Sequence, residues 1–302
     1  MLNLFVVNPV AGKGKYAHLL DRIHEACHQA EVEYEVRLTQ WEGHATQIVE
    51  EYCEKYPDVH VFACGGDGTL GECCAGMVDF PDAVLGCVPC GSGNDFVRNF
   101  PGHDFADIAA QLQGRPFLVD LLRVRWEDKD KYCINLVSIG LDSQAAISMN
   151  RFKRWPLITG GMAYILGIIS SLFHLQAVEA AFTLDGEVYS GRYLLSVCAN
   201  GEYYGGGFHG SPQSKLDDGQ IDWVAIEKVG LLKIAKLIGI YKKGEHIGNP
   251  RFEGILSYRR ARSIQVKSER PFPVTVDGEG FYTTEMEVAL ASQKVYIQLP
   301  KK

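Results

Sequence analysis

Three times in the first hundred residues a short apolar run ends in a glycine-rich stretch. Residues 2–7 lead into Asn8-Pro9-Val10-Ala11-Gly12-Lys13-Gly14. Residues 59–63 lead into Gly65-Gly66-Asp67-Gly68-Thr69-Leu70-Gly71-Glu72, and residues 83–88 into Gly91-Ser92-Gly93-Asn94-Asp95-Phe96. Between them lie helical patterns over 16–30, where Leu19, Leu20, Ile23 and Cys27 share a face, and over 45–56 and 70–78. Residues 34–38 add a fourth strand. This rhythm predicts a parallel sheet with helices on both faces. Loops at the carboxyl ends of such strands are where ligands bind. Glycine there lets backbone N–H groups approach phosphate oxygens, and helix N-termini add favourable partial charge. None of the three segments reads Gly-x4-Gly-Lys-[Ser/Thr]. A Walker loop is therefore absent.

After about residue 120 the period changes. Strand-like stretches at 119–126, 133–138, 180–184, 191–198, 221–226, 263–266, 274–276 and 288–290 are separated by turn signals such as Leu184-Asp185-Gly186 and Asp218-Gly219. Helical patterns interrupt at 158–174 and 230–243. The pattern predicts an antiparallel β domain. A chain of 302 residues exceeds what one core usually absorbs. The expected division is an α/β domain over 1–122, a β-sandwich over 123–290, and a return of 291–302 to the first domain.

Charge narrows the partners. Residues 1–125 hold 9 basic and 18 acidic residues, the remainder 21 and 19, within a net charge of −7. That balance speaks against nucleic acid. Nine cysteines without a leader read as free thiols in a reducing cytoplasm, and the longest apolar run, 162–173, falls short of a membrane span. His24-Glu25-Ala26-Cys27-His28 matches a zinc-protease spacing, but its apolar stripe makes it an ordinary helix following a phosphate loop. Cys87-Val88-Pro89-Cys90 is a lone pair without the context a zinc or redox site needs. Arg151-Phe152-Lys153-Arg154-Trp155 mixes basic and aromatic residues as a membrane-surface contact would.

The second domain carries Lys215-Leu216-Asp217-Asp218-Gly219-Gln220 and Val276-Asp277-Gly278-Glu279. Carboxylates on such turns can simply shape hairpins, hold Mg²⁺, or accept a hydroxyl proton. Asp277 and Glu279 lie two apart, so on a continuous strand they would face the same side.

Gly-Gly-Asp-Gly-Thr at 65–69, Gly-Ser-Gly-Asn-Asp-Phe at 91–96, Leu-Asp-Asp-Gly at 216–219 and Asp-Gly-Glu at 277–279 occur in this order. Together they resemble the diacylglycerol kinase catalytic-domain family, which includes sphingosine and ceramide kinases. Gly71 stands where the family often has Asn, and Ser92 where it often has Thr.

The resemblance implies an ATP site from Asn8, Pro9, Val10, Ala11, Gly12, Lys13, Thr39, Gly66, Asp67, Gly68, Thr69, Leu70, Gly71, Glu72, Ser92, Asn94 and Asp95. It implies Mg²⁺ at Lys215, Asp218 and Gln220, with Asp218 the one carboxylate. It implies Glu279 as proton acceptor beside Asp277, and Asp95 and Asp120 in a charged network between domains. Which of Asp277 and Glu279 is the base stays open. As a loop carboxylate, Asp67 is expected to matter for turnover and little for stability.

The implied activity is an ATP- and Mg²⁺-dependent lipid kinase converting diacylglycerol to phosphatidic acid. It would meet its lipid at the inner membrane face from the cytoplasm, with a homodimer among the open assemblies. The alternatives are an NAD kinase-like enzyme, a kinase of sphingoid bases or ceramide, and a catalytically silent nucleotide- or lipid-binding regulator.

Overall fold

A computed structural model describes residues 1–14, 16–152 and 177–302. The helical pattern at 158–174 lies outside the described residues. So do the side chains of Lys13, Arg151, Phe152, Lys153, Arg154 and Trp155. The described chain divides into two compact units, Met1–Leu121 with Ser292–Lys302, and Leu122–Ala291.

The first unit is built on β1 (Asn3–Val7), β2 (Tyr34–Leu38), β3 (His60–Gly65), β4 (Val84–Pro89) and the end of β15 (Glu279–Leu299). Neighbouring strands run parallel in the order β15–β4–β3–β1–β2. Every residue of β1 is buried, as expected of a strand covered on both faces. Phe5 and Phe62 stack at 4.6 Å between ring centres, and α1 (Tyr16–Gln29) packs Leu19, Ile23 and Cys27 onto them. The helices α2 (His44–Lys55), α3 (Asp67–Met77) and α4 (Ile108–Leu112) complete the unit. From β1 the chain moves to β2 on one side, then crosses back to β3 on the other. The strand order therefore reverses between β1 and β3. Such a reversal opens the crevice in which α/β sheets bind ligands.

The second unit is antiparallel. Its hairpin strands are β5 (Arg115–Trp126), which begins in the first unit, and β6 (Lys129–Cys133). Next come β7 (Leu136–Gly140), α5 (Leu141–Phe152), β8 (Val178–Leu184) and β9 (Glu187–Ala199). A small pair, β10 (Tyr203–Tyr204) and β11 (Phe208–His209), precedes β12 (Ile221–Glu227) and α6 (Leu231–Lys242). Last are β13 (Leu256–Ala261) and β14 (Ser263–Val276). Strands β9 and β14 each pair with both β7 and β8, which curls the sheet around Phe182, Trp223 and Phe272. A second cluster, with Leu195, Val224, Leu237 and Phe252, lies against α6.

Two stretches read as separate strands, 263–266 and 274–276, are one strand with a register shift between Lys267 and Phe272. The polar Ser268-Glu269-Arg270 and Pro271 interrupt the apolar pattern there without ending the strand. β13 escaped notice because exposed Arg259 and Arg260 break its apolar run.

Candidate functional site

The three glycine segments sit at the carboxyl ends of β1, β3 and β4, and hydrogen bonds join them. Asn8 Nδ2 donates to Thr69 Oγ1 at 3.2 Å, while Asn8 Oδ1 accepts from the Val10 N–H at 3.1 Å. Thr39 N donates to the Val7 carbonyl at 2.9 Å, which places Thr39 beside the first loop. The Gly65 carbonyl accepts from Cys90 N at 2.7 Å and Gly91 N at 3.1 Å. Gly91 has no substitute here, since a Cβ on it would come within 2.5 Å of the Gly66 Cα.

Asp67 ties the second and third loops together. Its Oδ1 accepts from the Asp95 N–H at 2.8 Å and the Phe96 N–H at 3.1 Å. Asn94, at φ 51°, closes its own turn by accepting from Gly91 N and donating to Gly91 O, both at 3.0 Å. Asp95 is buried beside Arg98, with Nε 3.4 Å from Oδ1. Ser92 is exposed at the tip. Other residues of this set face the fold. Leu70 and Gly71 are buried, and Glu72 Oε2 accepts the Ala45 N–H at 3.1 Å, at the start of α2. Asp120 is buried and pairs with Lys294 at 2.7 Å.

In the second unit Val276 pairs with Glu279, so Asp277 and Gly278 are themselves the turn between β14 and β15. Both have positive φ, 46° and 89°, as the tight hairpin demands. The strand-edge expectation therefore fails: the two carboxylates go to different partners. Asp277 turns back and accepts from Ile134 N at 2.8 Å, Asn135 N at 3.1 Å and Leu136 N at 3.2 Å. The Cys133 thiol donates to it as well, at 3.2 Å. Burial raises the Asp277 carboxyl above its usual range, and these donors oppose the rise. Glu279, its side chain 42% exposed, pairs with Lys131.

Two families of sequences match this chain. Residues 3–124 match the diacylglycerol kinase catalytic domain, and residues 135–297 match the YegS C-terminal NAD kinase beta sandwich-like domain. A "Diacylglycerol kinase" of Staphylococcus haemolyticus is 28% identical over 91% of this chain and 81% of its own length. A "Probable lipid kinase YegS-like" of Stenotrophomonas maltophilia is 29% identical over 89% and 87%. Among solved structures, a diacylglycerol kinase from Bacillus anthracis covers 98% of this chain and 96% of its own, with a TM-score of 0.70 at 23% identity. Another chain from that organism covers 98% and 94%, with a TM-score of 0.76 at 25% identity.

The chain belongs to the diacylglycerol kinase catalytic-domain family.

It is a lipid kinase, and a kinase needs a nucleotide. Among the described residues no helix is long and apolar enough to cross a membrane. The metal that the resemblance implies finds little at residues 215–220 of this kinase. Lys215 is exposed and can offer only its carbonyl. Asp218 Oδ1 accepts the Gln220 N–H at 3.1 Å, and its Oδ2 is held by Arg260. Among the described residues no three His, Cys, Asp or Glu side chains converge on a metal position. As it stands the loop does not fit a divalent cation.

Neither decoy gains support from the structure of the kinase. His24 and His28 are exposed on α1, and His24 Nδ1 lies 2.5 Å from the Tyr34 hydroxyl. All nine cysteines are free, and burial pushes the Cys87 and Cys90 thiols up, away from reactivity. Sequence reasoning missed Lys131, Arg260 and Asp142. The first two are basic residues on strands, Lys131 half-buried and Arg260 exposed, visible only through their partners. Asp142 opens α5, and burial pushes its carboxyl up to about 6.

Proposed function

We propose that this lipid kinase transfers the γ-phosphate of ATP to the hydroxyl of diacylglycerol, giving phosphatidic acid. The observation that carries the reading is Asp67, which clamps two glycine loops across the carboxyl ends of β3 and β4. Backbone N–H groups at that edge, with the N-terminus of α3, suit a triphosphate. The proposed nucleotide contacts are Asn8 to Gly12, Thr39, Gly66 to Thr69, and Ser92 to Asp95. Mg²⁺ carried on the nucleotide would neutralise phosphate charge.

In the transfer a bond forms between the lipid oxygen and Pγ, the bond from Pγ to the bridging oxygen breaks, and ADP leaves with that electron pair. The hydroxyl proton passes to Glu279. Glu279 suits this role better than Asp277, because four donors already occupy Asp277. Phosphoryl transfer draws mostly on positioning and charge stabilisation, so the base aids a reaction that the loops chiefly drive.

For meeting a bilayer, α6 is the proposed surface. From Lys228 to Lys243 there are five lysines and no acidic residue. Leu232 is 83% exposed at its start. Lysines beside an apolar tip match an anionic membrane, at about 1 kcal/mol per lysine. Reversing Lys233, Lys236 and Lys243 to Glu should weaken sedimentation with phosphatidylglycerol vesicles, and unchanged sedimentation would discard this surface.

Labelled ATP offered with diacylglycerol, monoacylglycerol, sphingosine, ceramide and NAD tests the substrate. Diacylglycerol should be the best acceptor. Higher kcat/KM on sphingosine or ceramide would overturn the assignment.

A further inference from the structure

We infer that Arg260 is the resident cation of the loop at 215–220, which closes on a guanidinium and takes up no divalent metal. The strand register makes the placement firm: β12 and β13 pair Asp222 directly with Arg260. From there the guanidinium spans two carboxylates. Its Nη2 meets Asp218 Oδ2, and its Nε lies 3.4 Å from Asp222 Oδ1. The Tyr258 hydroxyl, two residues earlier on β13, donates to the same Asp222 oxygen. The other oxygen of Asp218 closes the turn through the Gln220 N–H, around Gly219 at φ 68°.

The charges explain why a cation is needed here. The Asp222 side chain is 1% exposed and that of Asp218 20%. Two carboxylates this close and this dry repel each other, and a single buried charge without a partner is costly. The planar guanidinium fork answers both at once, which a point charge does less well. Mg²⁺ demands near-octahedral oxygen ligands and sheds water reluctantly. To enter, it would have to displace a positive group already bonded to Asp218, the one carboxylate in the implied ligand set. This departs from what the family resemblance implies for Lys215, Asp218 and Gln220. Any Mg²⁺ requirement of the kinase would then belong to its nucleotide. The inference is independent of which lipid is phosphorylated.

The test uses the full chain without nucleotide, so its outcome is separate from that of the substrate assay. Melting is followed in EDTA and in millimolar Mg²⁺, and Mn²⁺ binding is followed by the loss of the free-ion electron paramagnetic signal. The wild-type Tm should agree in the two buffers to about 1 °C. It should bind no stoichiometric Mn²⁺. Arg260→Met should melt several degrees lower, with Mg²⁺ recovering much of the loss. Arg260→Lys, which keeps the charge but loses the fork, should fall between and serves if Arg260→Met does not fold. Stoichiometric Mn²⁺ on the wild type, abolished by Asp218→Asn, would overturn the inference. So would an Arg260→Met or Arg260→Lys protein as stable as wild type in EDTA.

Discussion

Asp67 in the first unit takes the N–H groups of Asp95 and Phe96. Asp277 in the second takes those of Ile134, Asn135 and Leu136, with the Cys133 thiol besides. Both residues are flanked by glycine, and the resemblance implies a site role for each, Asp67 in the ATP site and Asp277 beside the proton acceptor. Each serves first as a backbone acceptor that pins a neighbouring loop. The difference lies in what remains. Asp67 joins two loops that both carry proposed nucleotide residues, so its clamp also shapes a binding edge. Asp277 spends its carboxylate on the chain before β7, which leaves Glu279, whose partner is a partly exposed lysine, as the proposed base. A carboxylate's role follows from how many of its lone pairs the backbone has already claimed.

The largest expected effect is on Asp277. Asp277→Ala leaves three backbone donors without an acceptor, at about 1–3 kcal/mol each where no water reaches them. Chemical denaturation should show a loss of several kcal/mol or no folded protein at all. A loss under about 1 kcal/mol would break the comparison, because Asp277 would then be no staple.

Glu279→Gln probes the other half. We expect kcat to fall by about 10²–10⁴, with the ATP KM little changed. Its melting temperature should stay near that of the wild type, since the pair with Lys131 is partly exposed and such pairs contribute little. A normal kcat in this variant would remove Glu279 as the base.

Asp142 supplies a contrast, a buried carboxylate pushed up to about 6 by desolvation. A carboxyl raised in the folded state binds its proton more tightly there than in the unfolded chain. Stability therefore falls as pH rises from about 4 to about 6 and stays reduced above that. Asp142→Asn should stabilise the protein by ~3 kcal/mol at neutral pH and by almost nothing below about pH 4. Denaturation curves at both pH values check this, and an equal effect at both would disconnect it from ionisation.

Asp67→Ala should cost about 1–3 kcal/mol for two lost acceptor contacts at a part-buried site. That still exceeds the negligible cost expected of a free loop carboxylate. Kinase turnover should collapse, and limited proteolysis should cut faster within 91–96. If proteolysis there is unchanged, Asp67 acts on the nucleotide without organising the third loop.

Much of this could be read from the chain alone. The alternation of periods announced an α/β unit, because a parallel sheet must bury apolar runs between helices, and that pattern is local. The turn of second-unit residues into antiparallel strands was legible for the same reason. Glycine at 65–68 and 91–93 announced close backbone approach, which the Gly91–Gly66 contact bears out. β14 and β15 were legible only in fragments, since a bulge and exposed polar residues hide a long strand from any short window.

The sequence by itself determined the elements, the places where the backbone comes close, and the kinase family, since each depends on residue types at fixed spacing. Tertiary structure alone decided which acidic residues are available. Asp67, Glu72, Asp218 and Asp277 each find a partner across 27 to 144 residues of chain. Hydrogen bonds and ion pairs form between groups that the fold brings within about 3 Å, and no spacing along the chain encodes that distance.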